Sequence, residues 1–438
     1  MQKDHIEKML TGTSRVNSAG HLEIGGCDTL DLVREFGTPL ICYDEALIRA
    51  NCRSYMSTFK RGENRVAYAG KAFLSIAMCQ IVDEEGLYLD VVSGGELFTA
   101  LKAGFPTERI YFHGNNKTIN ELKQALSAQV GCFVIDNRHE YELLHQLVFT
   151  ANYRPVVLLR VALGVDAATH KYIQTGQHDS KFGFALNSAE LDRTVADLAK
   201  DKTMSFVGFH SHIGSQITTL GGFRQAVGIM FDLVKEYKGR HQWVPTEISL
   251  GGGLGIAYTL GEEANTIEEL TTLVLATAEE HMRRVEVYPR LVLEPGRSII
   301  GQAGTTLYTT GSIKQIAGVR NYVAVDGGMT DNPRPALYQA QYQCALAGRM
   351  LAQDEETYSI AGRCCESGDM LIWNHELPRV MYNEVLAVFY TGAYNYSMAS
   401  NYNRIPRPAV VLVKDGKTRL IIQRESYEDV IKLDKSLR

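Results

Sequence analysis

The sequence predicts an α/β protein with a (β/α)8 TIM-like barrel, followed by a C-terminal β domain that also takes the N-terminal segment. Three observations support this fold class. Short β-branched runs alternate with helix-like stretches between residues 40 and 300, eight such runs follow one another, and they end in polar or glycine-rich turns. An open, doubly wound sheet is the alternative, because periodicity alone does not show whether a parallel sheet closes.

The eight runs have the spacing of βα units. Their first residues lie 22 to 24 positions apart in the first five runs and 42 to 50 apart afterwards, so we expect insertions between the later strands. The runs cover residues 66–71, 88–93, 110–114, 132–136, 156–161, 206–214, 248–255 and 290–296. Barrel chemistry takes place where the strands end. Here those ends carry Lys71, Asp90, Ser93, His113, Asn115, Asp136, His210, His212, Glu294 and Arg297.

After about residue 300 the pattern changes to short alternating strands broken by Gly, Pro and Asn. The clearest candidates are residues 305–310, 322–325, 385–389 and 409–413. A strand candidate at 21–24 precedes the first barrel helix, and we expect it to pair with this later sheet. The predicted domains are therefore an N-terminal segment 1–39, a cofactor-binding barrel 40–300 and a β domain 301–438.

Composition narrows the class of partner. The 438 residues carry 45 Lys and Arg against 50 Asp and Glu, a net charge of -5, without a block of like charge. This argues against nucleic acid as a partner, because phosphate binding needs clustered cations. No run of eighteen apolar residues and no signal-peptide core is present, and the eight cysteines lack CxxC spacing. We expect a cytoplasmic protein with free thiols that acts on small molecules and does not bind membranes.

Lys71 and His212 stand at the ends of the first and sixth runs. A lone lysine is usually solvated, but one at the mouth of an apolar strand can be desolvated, as imine formation with an aldehyde cofactor requires. His210 and His212 lie two residues apart on one face, which could suit a metal, but no third ligand follows at metal spacing. We expect no metal, and an imidazole that stacks on an aromatic cofactor ring instead.

Three consecutive glycines, Gly251, Gly252 and Gly253, follow the seventh run. A glycine run lets backbone N–H groups approach an anion, and barrels bind phosphate after strands seven and eight. The spacing is not that of a dinucleotide fingerprint. The three glycines could form only a tight turn, or they could form a phosphate cradle. Their position after the seventh run favours the phosphate cradle. Ser215, beside Gly214, can donate to the same phosphate.

Two polar clusters complete the candidate site. Glu294 and Arg297 close the eighth run, where a carboxylate can keep a pyridine nitrogen protonated and a guanidinium can bind phosphate or carboxylate. If Glu294 and Arg297 formed only an exposed ion pair, that pair would contribute little to stability. In the β domain, Cys365 has Glu366 and Asp369 as neighbours. A free cysteine is usually a small buried hydrophobe, but this polar setting favours a role in proton transfer.

Ordered motifs along nearly the whole chain resemble those of the fold-type III pyridoxal-phosphate decarboxylases, and among these the diaminopimelate decarboxylases of lysine biosynthesis. The motifs are the Lys71 segment and residues 89–97, 113–117, 180–183, 208–216, 251–253, 294–297, 326–329, 334–338, 365–369 and 392–403. The resemblance implies pyridoxal 5'-phosphate as cofactor and a homodimer whose two active sites are each completed by the other subunit. It also implies a carboxy-lyase that converts meso-2,6-diaminopimelate to L-lysine and CO2.

The same resemblance implies a role for each matched residue. Lys71 would hold the cofactor covalently, His212 would stack on its ring and Glu294 would face its ring nitrogen. Cys365 would donate a proton from the partner subunit, and Glu366 would face the distal ammonium of the substrate. The phosphate would be held by Ser215, Gly251, Gly252, Gly253, Gly296 and Tyr394. The distal carboxylate would be held by Arg297, Arg334 and Tyr338, with Arg297 and Tyr394 expected at both cofactor and substrate.

Three other functions fit these residues less well. A decarboxylase of ornithine, arginine or another basic amino acid would need an acid for the distal amine and no arginines for a distal carboxylate. A non-enzymatic relative that binds a regulatory partner should have lost Lys71 or Cys365. A racemase on a similar barrel would favour an arginine at the ring nitrogen, where this chain has Glu294.

Overall fold

The structure is a computed structural model that describes residues 2–149, 153–165 and 180–437. The chain forms two compact units. One, the barrel unit, comprises Asn51–Ile256 and Ala264–Ser298, and the other, the β unit, comprises Met1–Ala50, Ala257–Glu263 and Ile299–Arg438. Among the described residues, no helix has both the length and the apolar character needed to span a bilayer. The predicted limits after residues 39 and 300 stay a prediction.

The N-terminal segment contributes to two sheets. Its elements are α1 Gln2–Met9, β1 Arg15–Val16, β2 Leu22–Ile24, β3 Cys27–Asp28, α2 Thr29–Phe36, β4 Leu40–Asp44 and α3 Glu45–Phe59. The strand expected at 21–24 forms as β2, but its expected pairing is wrong. Gly25 and Gly26 both have positive φ and turn the chain back, so β2 pairs with β1 and β3 in a small antiparallel sheet. It is β4 that joins the large sheet of the β unit.

The barrel unit is a closed ring of eight parallel strands. In chain order the elements are β5 Arg65–Ala69, α4 Ile76–Glu84, β6 Tyr88–Val91, α5 Gly94–Ala103, β7 Ile110–Phe112, α6 Ile119–Ala128, β8 Cys132–Ile135, α7 Arg138–Val148, β9 Val156–Ala162, β10 Phe184–Ala185, α8 Ala189–Leu198, β11 Ser205–His210, α9 Gly221–His241, β12 Glu247–Ser249, α10 Ile267–Val285, β13 Arg290–Leu293 and α11 Arg297–Ile300. Because β13 pairs with β5, the sheet closes. The barrel prediction is confirmed, and the open sheet is wrong. The short β10 pairs with β9 beside the ring.

Side-chain caps start most of the helices that follow the barrel strands. In six helices the N-cap residue accepts a hydrogen bond from a backbone N–H of the first turn, which otherwise has no partner in the helix. The caps are Ser75, Ser93, Thr118, Asn137, Ser188 and Thr266. Ser75, Ser93, Thr118 and Asn137 lie two to six residues after the ends of β5, β6, β7 and β8, so these four loops are short.

The β unit contains the second large sheet. Its later elements are β14 Gly304–Ile316, β15 Arg320–Val325, α12 Arg334–Tyr338, β16 Cys344–Leu346, β17 Glu356–Ala361, β18 Met370–Leu377, β19 Val385–Phe389, β20 Ala409–Lys414, β21 Lys417–Ile422 and α13 Tyr427–Ile431. The order is β18-β17-β15-β14-β4-β20-β21, with β19 between β14 and β16. All four strands predicted after residue 300 are present. The predicted contribution of the N-terminal segment is also confirmed, because this unit includes Met1–Ala50. The strand that joins the large sheet, β4, begins at Leu40, just after the predicted segment.

A buried carboxylate ties together the N-terminal ends of three barrel strands. Glu247, the first residue of β12, is 1% exposed. Its Oε2 lies 3.0 Å from Nη1 of Arg65, the first residue of β5, and 2.7 Å from Nε of Arg290, the first residue of β13. The hydroxyl of Tyr111 donates to Oε1 at 2.8 Å. Ion pairs with this one carboxylate thus link the N-terminal ends of β5, β12 and β13.

Removing that carboxylate should destabilise the barrel. Glu247→Gln leaves two partly buried guanidinium groups without their counter-ion, and we expect the free energy of unfolding to fall by about 3 kcal/mol. Glu279→Gln is the matched control, because it breaks an exposed pair with Arg283 that should contribute less than about 0.5 kcal/mol. Urea-induced unfolding followed by circular dichroism compares the two. Equal stabilities for the two variants would contradict this account of the barrel.

Candidate active site

The closed barrel brings polar residues from separate strands to one rim. Lys71 lies in the short helical turn Gly70–Ala72 directly after β5, and Asp90 lies near the end of β6. His113 follows β7, His210 is the last residue of β11, and Glu294 follows β13. Because all these strands are parallel, their carboxyl ends meet at the same rim. Acid, base and amine groups are therefore concentrated there.

Glu294 is the most heavily contacted carboxylate at this rim. Its side chain is buried, and Oε2 lies 3.0 Å from Nε2 of His210. Oε1 accepts a 2.7 Å hydrogen bond from the hydroxyl of Ser249 and lies 3.4 Å from Nε2 of His113. Burial alone would raise the pKa of Glu294, but the two histidines outweigh it and hold the pKa well below its usual range. The carboxylate is therefore ionised at neutral pH.

The two histidines beside Glu294 differ in their surroundings. Burial disfavours a charge on both rings. For His113 it is outweighed by Asp90, 3.7 Å away, and by Glu294, which together raise its pKa. For His210 burial dominates and lowers the pKa to about 4. The rings meet edge to face, with centroids 4.8 Å apart.

His212 is held beside the triple glycine. Its Nδ1 accepts a hydrogen bond from the backbone N–H of Gly252 at 3.3 Å. Burial, together with the charges of Lys71 and Arg160, holds its pKa well below the ordinary value. His212 is therefore a neutral imidazole whose orientation is fixed by the backbone.

The glycines are required by close packing of the strand ends. A Cβ on Gly252 would lie 2.1 Å from the carbonyl oxygen of Glu294, and one on Gly251 would lie 2.4 Å from that of Ser211. Gly251 and Gly253 also have positive φ, at 67° and 123°. Because a side chain would clash at each point, this backbone stays bare, as close approach of an anion requires.

Two other predicted residues meet beside this loop. Nη2 of Arg297 donates to the hydroxyl of Ser215 at 3.0 Å. Gly296 packs on the first strand end, since a Cβ there would lie 3.1 Å from Cβ of Ala69 and of Ala72. The end of β13 is thus fitted against the Lys71 turn.

In the β unit, Arg334 is buried and held by two tyrosines. Its Nη1 donates to the hydroxyl of Tyr258 at 3.0 Å and to that of Tyr342 at 2.7 Å. The Tyr342 hydroxyl in turn donates to Oδ1 of Asn395 at 3.3 Å. Tyr338 ends the same short helix, α12, and is partly buried. The Arg334 guanidinium has a fixed orientation and no acidic partner among the contacts described.

The loop around Cys365 is organised by a buried aspartate. Asp369 accepts hydrogen bonds from the backbone N–H groups of Met329, at 2.6 Å, and Cys364, at 2.7 Å. Burial and this carboxylate raise the pKa of the Cys364 thiol to about 12. Cys365 is exposed instead, and its N–H donates to Oδ1 of Asn403 at 2.7 Å. The two adjacent cysteines therefore have different environments, and Cys365 is the accessible one.

Comparisons with known proteins agree along the whole chain. Residues 45–301 match the family model described as "Pyridoxal-dependent decarboxylase, pyridoxal binding domain". The diaminopimelate decarboxylase of Bacillus subtilis is 52% identical over 428 residues, covering 97% of this chain and 98% of that protein. That of Halalkalibacterium halodurans is 50% identical over 429 residues, with the same coverage. The chain belongs to the diaminopimelate decarboxylases.

Solved structures of diaminopimelate decarboxylases share the fold. The enzyme from M. jannaschii has a TM-score of 0.90 and 35% identity, and covers 97% of this chain and 98% of its own. A second structure of it, in complex with L-lysine, has the same TM-score and coverage at 34% identity. Both the family and the fold expected from the motifs are therefore confirmed, and the chain is a carboxy-lyase that acts on a small molecule.

The predicted site residues are divided between the two units. Lys71, His212, Ser215, Gly251, Gly252, Gly253, Glu294, Gly296 and Arg297 lie in the barrel unit, and Arg334, Tyr338, Cys365, Glu366 and Tyr394 lie in the β unit. Tyr394 is partly buried with φ of 68°, and Glu366 is exposed. The role of each residue stays a prediction.

Sequence reasoning missed three residues and left others without a role. Ser249, Tyr258 and Tyr342 were not predicted, and Asp90 and His113 were noted only as strand-end residues. Ser249 ends β12 as His210 ends β11, and that shared position could have identified it. Neither tyrosine lies in a motif that would have marked it. The side-chain nitrogen and oxygen atoms of His113, His210 and Glu294 lie within 4.8 Å of one another, so these three residues form one buried polar cluster.

Proposed function

We propose that this diaminopimelate decarboxylase removes the carboxylate at the D-centre of meso-2,6-diaminopimelate, giving L-lysine and CO2 in the last step of lysine biosynthesis. The observation that carries the proposal is a sequence identity of 50–52%, along almost the whole chain, to proteins named diaminopimelate decarboxylase. The rim of the barrel supports it, because it combines an ionised carboxylate, a neutral imidazole and a glycine loop.

We propose pyridoxal 5'-phosphate as the cofactor, which, when bound, takes up the electron pair left on carbon as CO2 departs. The residues of the barrel rim fit this group. The buried, ionised Glu294 can accept a hydrogen bond from a protonated ring nitrogen. His212, neutral and fixed by Gly252, offers the face of a ring for stacking.

The remaining contacts to the cofactor come from residues at the strand ends. Lys71, at the end of the first barrel strand, would bind the cofactor's aldehyde carbon through Nζ. The phosphate would be held by the bare glycine backbone, by Ser215 and Arg297, and by Gly296 and Tyr394. Backbone N–H groups and a guanidinium are the donors that phosphate prefers.

Substrate choice is proposed to rest on Arg297, Arg334 and Tyr338, which would hold the distal carboxylate. Glu366 would face the distal ammonium, and Tyr394 would also contact the substrate. Arg334 supports this assignment, since its guanidinium is buried, its hydrogen bonds to described residues go to tyrosine hydroxyls, and it can still bind a carboxylate. A decarboxylase of ornithine or lysine would not need this arginine, because neither substrate has a distal carboxylate.

A homodimer with shared sites is also proposed, in the cytoplasm. Cys365 and Glu366 are exposed on the chain, although the loop that carries them is fixed by Asp369 and Asn403. A rigid loop with exposed reactive groups suits a site completed on another subunit. There the Cys365 thiol would give its proton to the substrate carbon from which CO2 has left.

Mixing inactive subunits tests the shared site. Lys71→Ala should bind no cofactor that borohydride can trap, and Cys365→Ala should bind it but turn over poorly. Mixed dimers would contain one site with both groups intact, so activity should return to about a quarter of the wild-type value for random pairing of equal amounts. Cys364→Ala is the control and should stay active alone. Absence of recovery, with subunit exchange shown independently, would argue against shared sites.

Arg334→Leu tests the substrate assignment. A buried charged contact contributes about 1 to 3 kcal/mol, so kcat/KM for diaminopimelate should fall by about tenfold or more while the absorbance of the bound cofactor stays unchanged. Arg404→Leu, which breaks an exposed pair with Asp434, is the matched control. Lysine and ornithine should be turned over at least about a hundredfold less well than diaminopimelate by the wild-type enzyme. Comparable turnover of all three, or an unchanged Arg334→Leu, would contradict the assignment.

A further inference from the structure

We propose that His113 is a positioning residue that supplies the positive charge keeping Glu294 ionised, and that Asp90 holds this charge on His113 rather than on His210. The proposal rests on the role of Glu294 proposed above, since an ionised carboxylate there is what a protonated ring nitrogen needs. It assigns separate tasks to two histidines that contact the same carboxylate.

The geometry distinguishes the two rings. Nε2 of His113 lies between two carboxylates, 3.4 Å from Oε1 of Glu294 and 3.7 Å from Oδ1 of Asp90. Nε2 of His210 meets only Oε2 of Glu294, at 3.0 Å. All four side chains are at most 6% exposed. In so poorly solvated a site a proton shared between two anions is favoured over one facing a single anion.

The contacts of His210 suit a neutral ring. Its Nδ1 has no hydrogen-bond partner among the residues that the structure describes, whereas Nε2 of His113, which also lacks an aligned hydrogen-bond partner there, still faces two carboxylates. A protonated His210 would therefore bury an N–H donor without an acceptor, which costs about 1 to 3 kcal/mol. A neutral ring with its hydrogen on Nε2 donates to Glu294 and leaves only an unpaired acceptor. The lowered pKa of His210 and the raised pKa of His113 agree with this assignment.

Other charged groups act on His113 more weakly. Arg160, on β9, opposes a positive charge, but its own Nη1 lies 3.8 Å from Oδ1 of Asp136, on the neighbouring strand end. Burial raises the pKa of Asp90, and the positive charges of His113 and Lys71 act against this. Burial also raises the pKa of Asp136 and that of Glu96, the latter to about 7, so these two carboxyls add little negative charge near His113. The charge on His113 therefore depends on Glu294 and Asp90, the two carboxyls within 4 Å of its Nε2.

The charge states can be read by NMR of the holoenzyme labelled with ¹⁵N-histidine. His113 and His210 are assigned from the signals that disappear in His113→Gln and His210→Gln. We expect His113 to be doubly protonated at pH 7 and His210 to be neutral down to about pH 5. Asp90→Asn should lower the titration midpoint of His113 by about one to three pH units, while Asp90→Glu should restore it. A neutral His113 at pH 7, a charged His210 above about pH 5, or an unmoved midpoint in Asp90→Asn would overturn the proposal.

Kinetics supply a second readout that a purely structural role would not change. Glutamine at position 113 can donate a hydrogen bond but cannot carry charge. His113→Gln should therefore raise the pKa of Glu294, and the acid limb of kcat against pH should move up by about one to three units. His210→Gln should leave that limb in place. Equal loss at every pH in both variants would count against the proposal. NMR reads the charge on His113 without reference to turnover, so its failure differs from failure of the proposed function.

Discussion

The buried carboxylate of Glu294 is the group on which the rest of the active-site rim depends. Burying an ion costs several kcal/mol unless it is paired and hydrogen-bonded. Here the partners come from three other strand ends: His113 after β7, His210 at the end of β11 and Ser249 at the end of β12. None of them is near Glu294 in the sequence. Their convergence requires the eight strands to be in order and the ring to be closed.

The two ends of the barrel use buried carboxylates differently. At the strand starts, Glu247 has two arginines and a tyrosine as partners, so both of its carboxylate oxygens are paired. At the strand ends, Glu294 has histidines, whose charge depends on their surroundings. The first arrangement suits stability and the second suits chemistry, because an imidazole can change its protonation near neutral pH and a guanidinium cannot. Catalytic groups in such barrels lie at the strand ends for the same topological reason.

The sequence predicted the parts of the fold that depend on local pattern. Eight β-branched runs predicted eight strands. The glycines of the seventh loop were expected to form a tight turn or a phosphate cradle, and the structure shows that no side chain fits at these positions. The pairing of β2 was wrong, since two glycines in the left-handed region reverse the chain after it. Ser249 and Tyr342 were missed because their importance comes from partners 45 and 8 residues away, and no periodicity encodes such a contact.

The most direct test of this account is the rate of decarboxylation by Glu294→Gln at neutral pH. The amide keeps the size and hydrogen-bonding capacity of the side chain but removes the charge that the two histidines stabilise. The account predicts that kcat falls by about a hundredfold or more, while borohydride still traps the cofactor on Lys71. A folded Glu294→Gln protein that holds its cofactor and turns over diaminopimelate at the wild-type rate would contradict it.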